Sequence, residues 1–253
     1  MALYTNMGHA NGWRAIGRVA GLYRHPIKSM AAQSLANATI DHYGIAGDRR
    51  FALRRRGDQG GFPWLTASKL PALIRHTVCC ESGDTPSRAR MHVHAPGGDF
   101  ISCDGDDLTR HFAEVHGVDV ELAHLKQGMF DLAGLSVITA QTLASLATMI
   151  DMRMDARRFR PNVVIDTESS ADPFPEDAWV GQALAFGNVE SGAYASVTEL
   201  DERCVMINFD PDTGLGSPQV LRTVVRERGN YAGVYAVPTR GGAIAVGDIA
   251  YVR

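Results

Sequence analysis

Residues 13–26 read "WRAIGRVAGLYRHP". Apolar and polar side chains alternate along the stretch with a period of two, the pattern of a strand that buries one face. It stops at Pro26, which has no N–H to give a sheet ladder. The segments on its C-terminal side repeat the theme. "LANATIDHYG" (35–44) closes on a Gly turn, and "RRFALRRRGDQGG" (49–61) reads as a strand running into a Gly-rich hairpin. "MHVHAPGGDFISC" (91–103) reads as two strands across a Pro-Gly-Gly turn. Short strands with such punctuation predict a barrel or sandwich.

Three helices are expected among these strands. The first starts at Asp106 or Asp107, buries Leu108, Phe112 and Val115, and stops at Gly117. The longest runs from Thr139 to Arg157, with Leu143, Leu146, Ala147, Ile150 and Met154 at helical spacing. The third opens on Ser217 and Pro218, turns Leu221, Val224 and Val225 inward, and ends at Gly229. Between them "RPNVVID", "ALAFGNVESGAYASVT", "CVMINFD", "YAGVYAVP" and "GAIAVGDIAYVR" read as strands. A Gly turn and "LKQGMFDLAG" suggest a boundary, giving units of 13–118 and 119–253. The expected class is mainly β with some α, two packed β-barrel-like units with flanking helices on the second.

The chain has 253 residues, 45% hydrophobic and 21% charged, the make-up of a globular protein. A formal charge of −3 gives no basis for broad attachment to nucleic acid or membrane. No apolar run approaches the roughly 20 residues of a membrane helix. The N-terminal "MALYTNMGHANGW" lacks the basic start and apolar centre of a secretory signal. The expected location is therefore the cytoplasm. The four cysteines, Cys79, Cys80, Cys103 and Cys204, include no C-x-x-C pair, so zinc ribbons, thioredoxin-type motifs and an iron–sulfur cluster are not indicated. The nine histidines show no metal-binding spacing; His92 and His94 share a strand face without a third ligand in view.

Four clusters carry chemistry. "YRHPIKSM" (23–30) brings Lys28 and Ser29 after an interrupted strand, donors that suit an anion, although a lysine in a solvated loop is the commoner case. "GIAGDRRFALRRRGD" (44–58) sends Arg49 and Arg50 to opposite faces, so at most one enters a site, with Asp48 available to orient it. "DARRFRPNVVID" (155–166) gathers Arg157, Arg158 and Arg160, which repel unless solvated or bound to an anion, and Asn162 adds an amide. Pro161 disfavours helix at Arg160 and fixes the turn. In "ERCVMINFDPDTG" (202–214), Arg203 beside Cys204 favours the thiolate, the form that attacks or binds metal. A lone strand cysteine is ordinarily a small buried hydrophobe. Asp210 and Asp212 mark an Asx-type turn.

Read in order, these stretches resemble the MOSC family, the molybdenum cofactor sulfurase C-terminal domain, with its N-terminal β-barrel companion. "YRHPIKSM" and "GIAGDRRFAL" look like signatures of the N-terminal unit. "RFRPNVVID", the W-x-G-x-x-L-x-F-G run from Trp179 to Gly187, "ERCVMINFDPDTG" and "GGAIAVGDIAYV" look like those of the MOSC unit. The group is similar to the mitochondrial amidoxime-reducing component and bacterial N-hydroxylaminopurine reductases.

The resemblance implies a molybdenum-pterin cofactor ligated by Cys204, with Lys28, Ser29, Arg49, Arg160, Asn162 and Arg203 around its phosphate or ring. It implies reduction of small N-hydroxylated molecules by oxygen-atom transfer, with electrons from a separate ferredoxin- or flavin-type donor, since no ferredoxin-like domain follows Arg253. The family is also associated with pyridoxal phosphate binding. Two other roles stay open: a sulfur carrier holding a persulfide on Cys204, and non-enzymatic binding of a pterin cofactor. One departure stands out. In the stretch matching "LTASKLP" relatives often have an Arg, where this chain has Ser68 and then Lys69.

Overall fold

The computed structural model describes residues 12–80, 86–167 and 172–253. The N-terminal lead read above lies, up to residue 11, outside them. The described strands are β1 (Arg14–Arg24), β2 (Gln33–Leu35), β3 (Asn37–Asp41), β4 (Gly44–Ile45), β5 (Phe51–Arg55), β6 (Thr77–Cys80), β7 (Met91–His94) and β8 (Phe100–Ser102). There follow β9 (Val120–His124), β10 (Leu135–Thr139), β11 (Val163–Asp166), β12 (Ala183–Phe186), β13 (Tyr194–Glu202), β14 (Tyr231–Arg240), β15 (Gly242–Ala245) and β16 (Ile249–Val252). The described helices are α1 (Asp107–His116), α2 (Ala140–Ile150) and α3 (Gln219–Arg228). The protein is mainly β with some α, as expected.

Strand β1 decides the architecture. It pairs antiparallel with β16 on one side (Arg14↔Val252) and with β11 on the other (Leu22↔Val163). This closes the order β11-β10-β14-β13-β12-β16-β1 into a seven-stranded barrel, with β2 added to β1 outside the ring. One strand can serve two seams because it bulges between Ala15 and Gly17 and again between Val19 and Gly21. Gly17 is required there. At φ 153° a Cβ would stand 2.0 Å from the Asp166 carbonyl oxygen. The sole parallel pair in the ring, β10 with β11, is joined through α2, the crossover that parallel strands need.

Alternation assigns the barrel faces. Leu135 and Val137 on β10, Val163 and Ile165 on β11, and Val234 and Ala236 on β14 join Phe186, Val197 and Val252 in one buried core. Each large side chain so buried contributes roughly 1.5–3 kcal/mol. The intervening residues point outward. Ile138 and Val164 pack beneath Leu146 of α2 and Val220 and Val224 of α3. Ser136 and Tyr235 remain for the site. A second core gathers Phe51 and Leu53 of β5, Val78 of β6, Val93 of β7, Phe112 of α1 and Leu122 of β9.

Several expectations shift. Helix α2 ends at Ile150, not Arg157, because Asp151 adopts the left-handed conformation (φ 54°) and closes it. Met152 and Met154 still pack on the same cluster although they lie past the helix. Val115 and Val225 are exposed; Val220 and Thr223, with Val224, form the inner face of α3. Helices α1 and α3 stop at Gly117 and Gly229 as read, both left-handed. "CVMINFD" is not a strand: Val205–Asn208 forms a 3-10 turn, with Cys204 at its entrance. A four-residue apolar run carries no period that separates the two. Among the described residues no helix is long and apolar enough to cross a membrane.

Candidate functional site

A cavity of about 210 Å³ opens between the outer barrel wall and the part of the chain that holds the second core. Lys28, Ser29, Arg49, Arg160, Asn162, Arg203 and Cys204, drawn from all four sequence clusters, line it. The elements deliver them separately. Lys28 and Ser29 follow the end of β1, Arg49 precedes β5, Arg160 and Asn162 precede β11, and Arg203 and Cys204 follow β13.

Backbone strain collects here. Among the described residues five non-glycines have positive φ, and three line the cavity: Ser29 (70°), Arg49 (49°) and Arg160 (52°). Such conformations cost on the order of 1–3 kcal/mol each and persist where surrounding structure imposes them. Arg160 is the sharpest case. Pro161 steers it away from helix towards extended backbone, yet it is left-handed (ψ 43°) at the close of the 3-10 turn Ala156–Phe159. Neither Arg49 nor Arg160 lies in a strand, so the face alternation argued for Arg49 and Arg50 does not apply. The outcome is nonetheless one inward arginine. Arg50 leaves the cavity for Asp41 (2.9 Å) and the Lys126 carbonyl oxygen.

The cations are unequally satisfied. Lys28 Nζ donates to Asp131 Oδ1 at 2.8 Å, and that carboxylate is itself exposed. Burial pulls the Lys28 pKa down although Asp131 opposes the shift. Arg49 pairs with the fully buried Asp48 and donates through Nη2 to the Arg160 carbonyl oxygen at 3.0 Å. Burial alone would push the Asp48 pKa up; Arg49 and bonds from His25, whose N–H lies 2.6 Å away, hold it below the usual carboxylate range. His25 is brought down to about 3 by burial and by Arg160 and Arg49, so it is neutral.

Arg160 differs from its neighbours. Nη1 donates to the Met30 carbonyl oxygen at 2.8 Å, but Nη2 is buried without a hydrogen-bond partner. Burial, then the repulsion of Arg49, drags its pKa down to about 9. This is an unmet positive charge in a cavity wall.

Arg203 and Asn162 serve as braces. Arg203 donates through Nε to the Ala232 carbonyl oxygen (2.6 Å) and through Nη1 to that of Phe159 (2.8 Å). Its Nη2 pairs with Asp201 (2.8 Å), and its guanidinium lies 5.4 Å from the Phe159 ring centroid. Only Gly233 admits it, since a Cβ there would stand 2.9 Å from Nη2. Its charge is thus already matched. Asn162 Nδ2 donates to Asp48 (3.0 Å) and to the Tyr23 carbonyl oxygen (3.3 Å), while Oδ1 accepts from Ser136 N–H (3.1 Å). No part of that amide is free to read a ring.

Cys204 is exposed at the cavity edge. A cysteine serving as packing would be covered, as Cys103 is; burial drives that thiol up to about 12. The arginine trio splits. Arg157 turns away to Asp155 and Asp212, whereas Arg158 and Arg160 both line the cavity, Arg158 held there by Asp210 (2.8 Å) and the Asn208 carbonyl oxygen (2.9 Å). The Asx turn forms as read: Asp210 Oδ1 accepts from the N–H groups of Asp212 and Thr213. Ser68 lines the cavity, hydrogen-bonded to Thr66 at 2.8 Å, whereas Lys69 is exposed and outside it. Asp131, Ser136, Asp201 and Tyr235 also line it, and the sequence clusters did not include them. Ser136 donates to Asp201 at 2.7 Å across β14, a contact that only the barrel creates.

The family profile for the MOSC domain matches residues 114–251, and that for the MOSC N-terminal beta barrel domain matches residues 16–130. The human mitochondrial amidoxime-reducing component 1 is 24% identical over 94% of this chain and 83% of its own length. The human mitochondrial amidoxime reducing component 2 is 31% identical over a shorter match, 48% of this chain and 37% of that protein. The crystal structure of the YUAD protein from Bacillus subtilis superposes with a TM-score of 0.51 at 15% identity, covering 95% of this chain and 97% of that one, a likeness of fold. Taken with the barrel and the cavity on its wall, these matches make the chain a member of the MOSC domain family, with the N-terminal beta barrel domain of that family ahead of its MOSC domain.

Proposed function

We propose that the cavity binds a molybdenum-pterin cofactor through Cys204 and that the protein reduces small N-hydroxylated compounds. The observation that carries the reading is the joint presence of an exposed thiol and an unmatched guanidinium, Cys204 and Arg160, in one cavity wall. The donor set fits such a group. A soft sulfur ligand suits molybdenum, and a partnerless cation suits a phosphate.

Magnitudes support phosphate capture. An anion about 4 Å from Arg160 gains roughly 4 kcal/mol per unit charge in a partly buried site, against about 1 in bulk water. The Lys28–Asp131 pair is open to solvent at its carboxylate, and screening there weakens it. An incoming phosphate therefore displaces Asp131 and takes Lys28. Arg49 stays fixed by Asp48, and Arg203 by Asp201, so they shape the wall with little reorganisation. The Ser29 hydroxyl adds a donor. When bound, the cofactor supplies two-electron removal of an oxygen atom from the substrate. This chain's residues bind and orient that group, and a separate ferredoxin- or flavin-type protein supplies electrons.

Protein purified from a host that makes the cofactor is expected to hold stoichiometric molybdenum and pterin, with the metal lost in Cys204→Ser. Undiminished metal in that variant would overturn the assigned ligand. A mass increase of one sulfur atom on Cys204, without pterin, would point to a persulfide carrier instead.

A further inference from the structure

Away from the cavity, three histidines meet that no local spacing brings together. His76 ends the 3-10 turn Pro71–Arg75, while His111 and His116 lie on α1. One ligand atom from each ring lies within 4.8 Å of the other two. The ring centroids form a nearly equilateral triangle with sides of 5.7, 5.7 and 5.9 Å. Phe112, fully buried, floors it, with its ring centroid 5.1–5.6 Å from all three.

One of the rings is already set to offer Nε2. His76 Nδ1 lies 2.9 Å from the Ala72 carbonyl oxygen, so that nitrogen carries the proton and leaves the Nε2 lone pair facing inward. His111 Nε2 faces His76 Nε2, and its Nδ1 lies 3.9 Å from Asp99 Oδ2, beyond hydrogen-bond distance. A backbone oxygen behind His76 is a usual support for an imidazole on a metal. The spacing agrees. His76 Nε2 and His111 Nε2 are 3.5 Å apart. Two nitrogens on a tetrahedral zinc with bonds of about 2.1 Å stand about 3.4 Å apart.

We propose that His76, His111 and His116 form a three-imidazole site for a divalent late transition cation of the zinc class, with the fourth position left to water. Simple packing of aromatic rings around Phe112 does not by itself bring two Nε2 atoms to 3.5 Å with the second nitrogen of one ring on a backbone oxygen, an arrangement that a shared cation uses. The cation fastens α1 to the 3-10 turn Pro71–Arg75. The effect reaches the cavity through backbone alone: the His76 carbonyl oxygen accepts from Ala31 N–H at 3.0 Å, and neighbouring Met30 holds Arg160. The role is structural and independent of Cys204.

The test uses full-length protein in a Cys204→Ser background, to remove the exposed thiol, stripped with a chelator and titrated with Co²⁺ and Zn²⁺. One saturable equivalent is expected, with the visible absorption of four-coordinate cobalt and a melting temperature raised by zinc. His111→Ala and His116→Ala, both at incompletely buried positions, should stay folded and lose affinity by at least about tenfold. His92→Ala, outside the triangle, should bind as the parent does. Absence of saturable one-equivalent binding in the folded parent would overturn the site, as would affinity unchanged from the parent in both triangle variants.

Discussion

Arg160 occupies a backbone conformation that its own sequence neighbour disfavours, and its guanidinium is incompletely partnered. Both costs make sense if the residue is kept for an anion, which gives opposite expectations for stability and binding. Arg160→Gln should leave the melting temperature of the ligand-free protein unchanged or slightly higher, because an uncompensated charge is removed. Phosphate affinity, measured by calorimetry, should fall about 10- to 100-fold, the value of a charge-assisted hydrogen bond. Arg158→Gln is the contrasting case. Its partners Asp210 and Asn208 are already in place, so it should lower stability by about 1–3 kcal/mol while phosphate affinity changes less. The cationic residues of the cavity were legible because like charges crowded into short stretches need a reason. Their roles were not. That Arg203 is held by the Ala232 and Phe159 carbonyl oxygens, and Asn162 by Asp48, depends on contacts from segments distant in the chain. The histidine triangle was invisible for the same cause, since His76 and His111 are 35 positions apart and no helical or strand period links them.

At the scale of elements, Gly17 deserves the firmest expectation. Strand β1 must bulge to serve two seams, and a methyl group at this position would meet the Asp166 carbonyl oxygen. Gly17→Ala should destabilise by about 2–4 kcal/mol, read from the urea midpoint at unchanged slope. Gly21→Ala serves as the comparison, because a Cβ there meets only the end of the Tyr23 ring at 3.1 Å. Alternation made β1 readable, and left-handed glycines marked the ends of α1 and α3 correctly. The end of α2 was missed because apolar spacing continues through Met152 and Met154 after Asp151 has turned the chain. Periodicity records which side chains are covered; it does not record whether a helix or a returning loop covers them. The same limit applies to Val205–Asn208, read as strand and found as a 3-10 turn.

For the whole molecule, the barrel is assembled from the far ends of the chain. Strands β10 to β14 and β16 supply six members of the ring and β1 the seventh. A fragment of residues 119–253 would leave β11 and β16 with open edges and one slot unfilled, so we expect it to aggregate or to lack a cooperative unfolding transition. Appending residues 12–24 after Arg253 through a flexible linker should restore a cooperative transition, monitored by circular dichroism. A well-folded monomeric fragment without β1 would contradict the closed ring. Because Arg14 is registered with Val252, this seam of the ring joins segments from opposite ends of the described residues. Until both segments are present, the edge of β1 that faces β16 has no strand to pair with, whereas its other edge can already pair with β11.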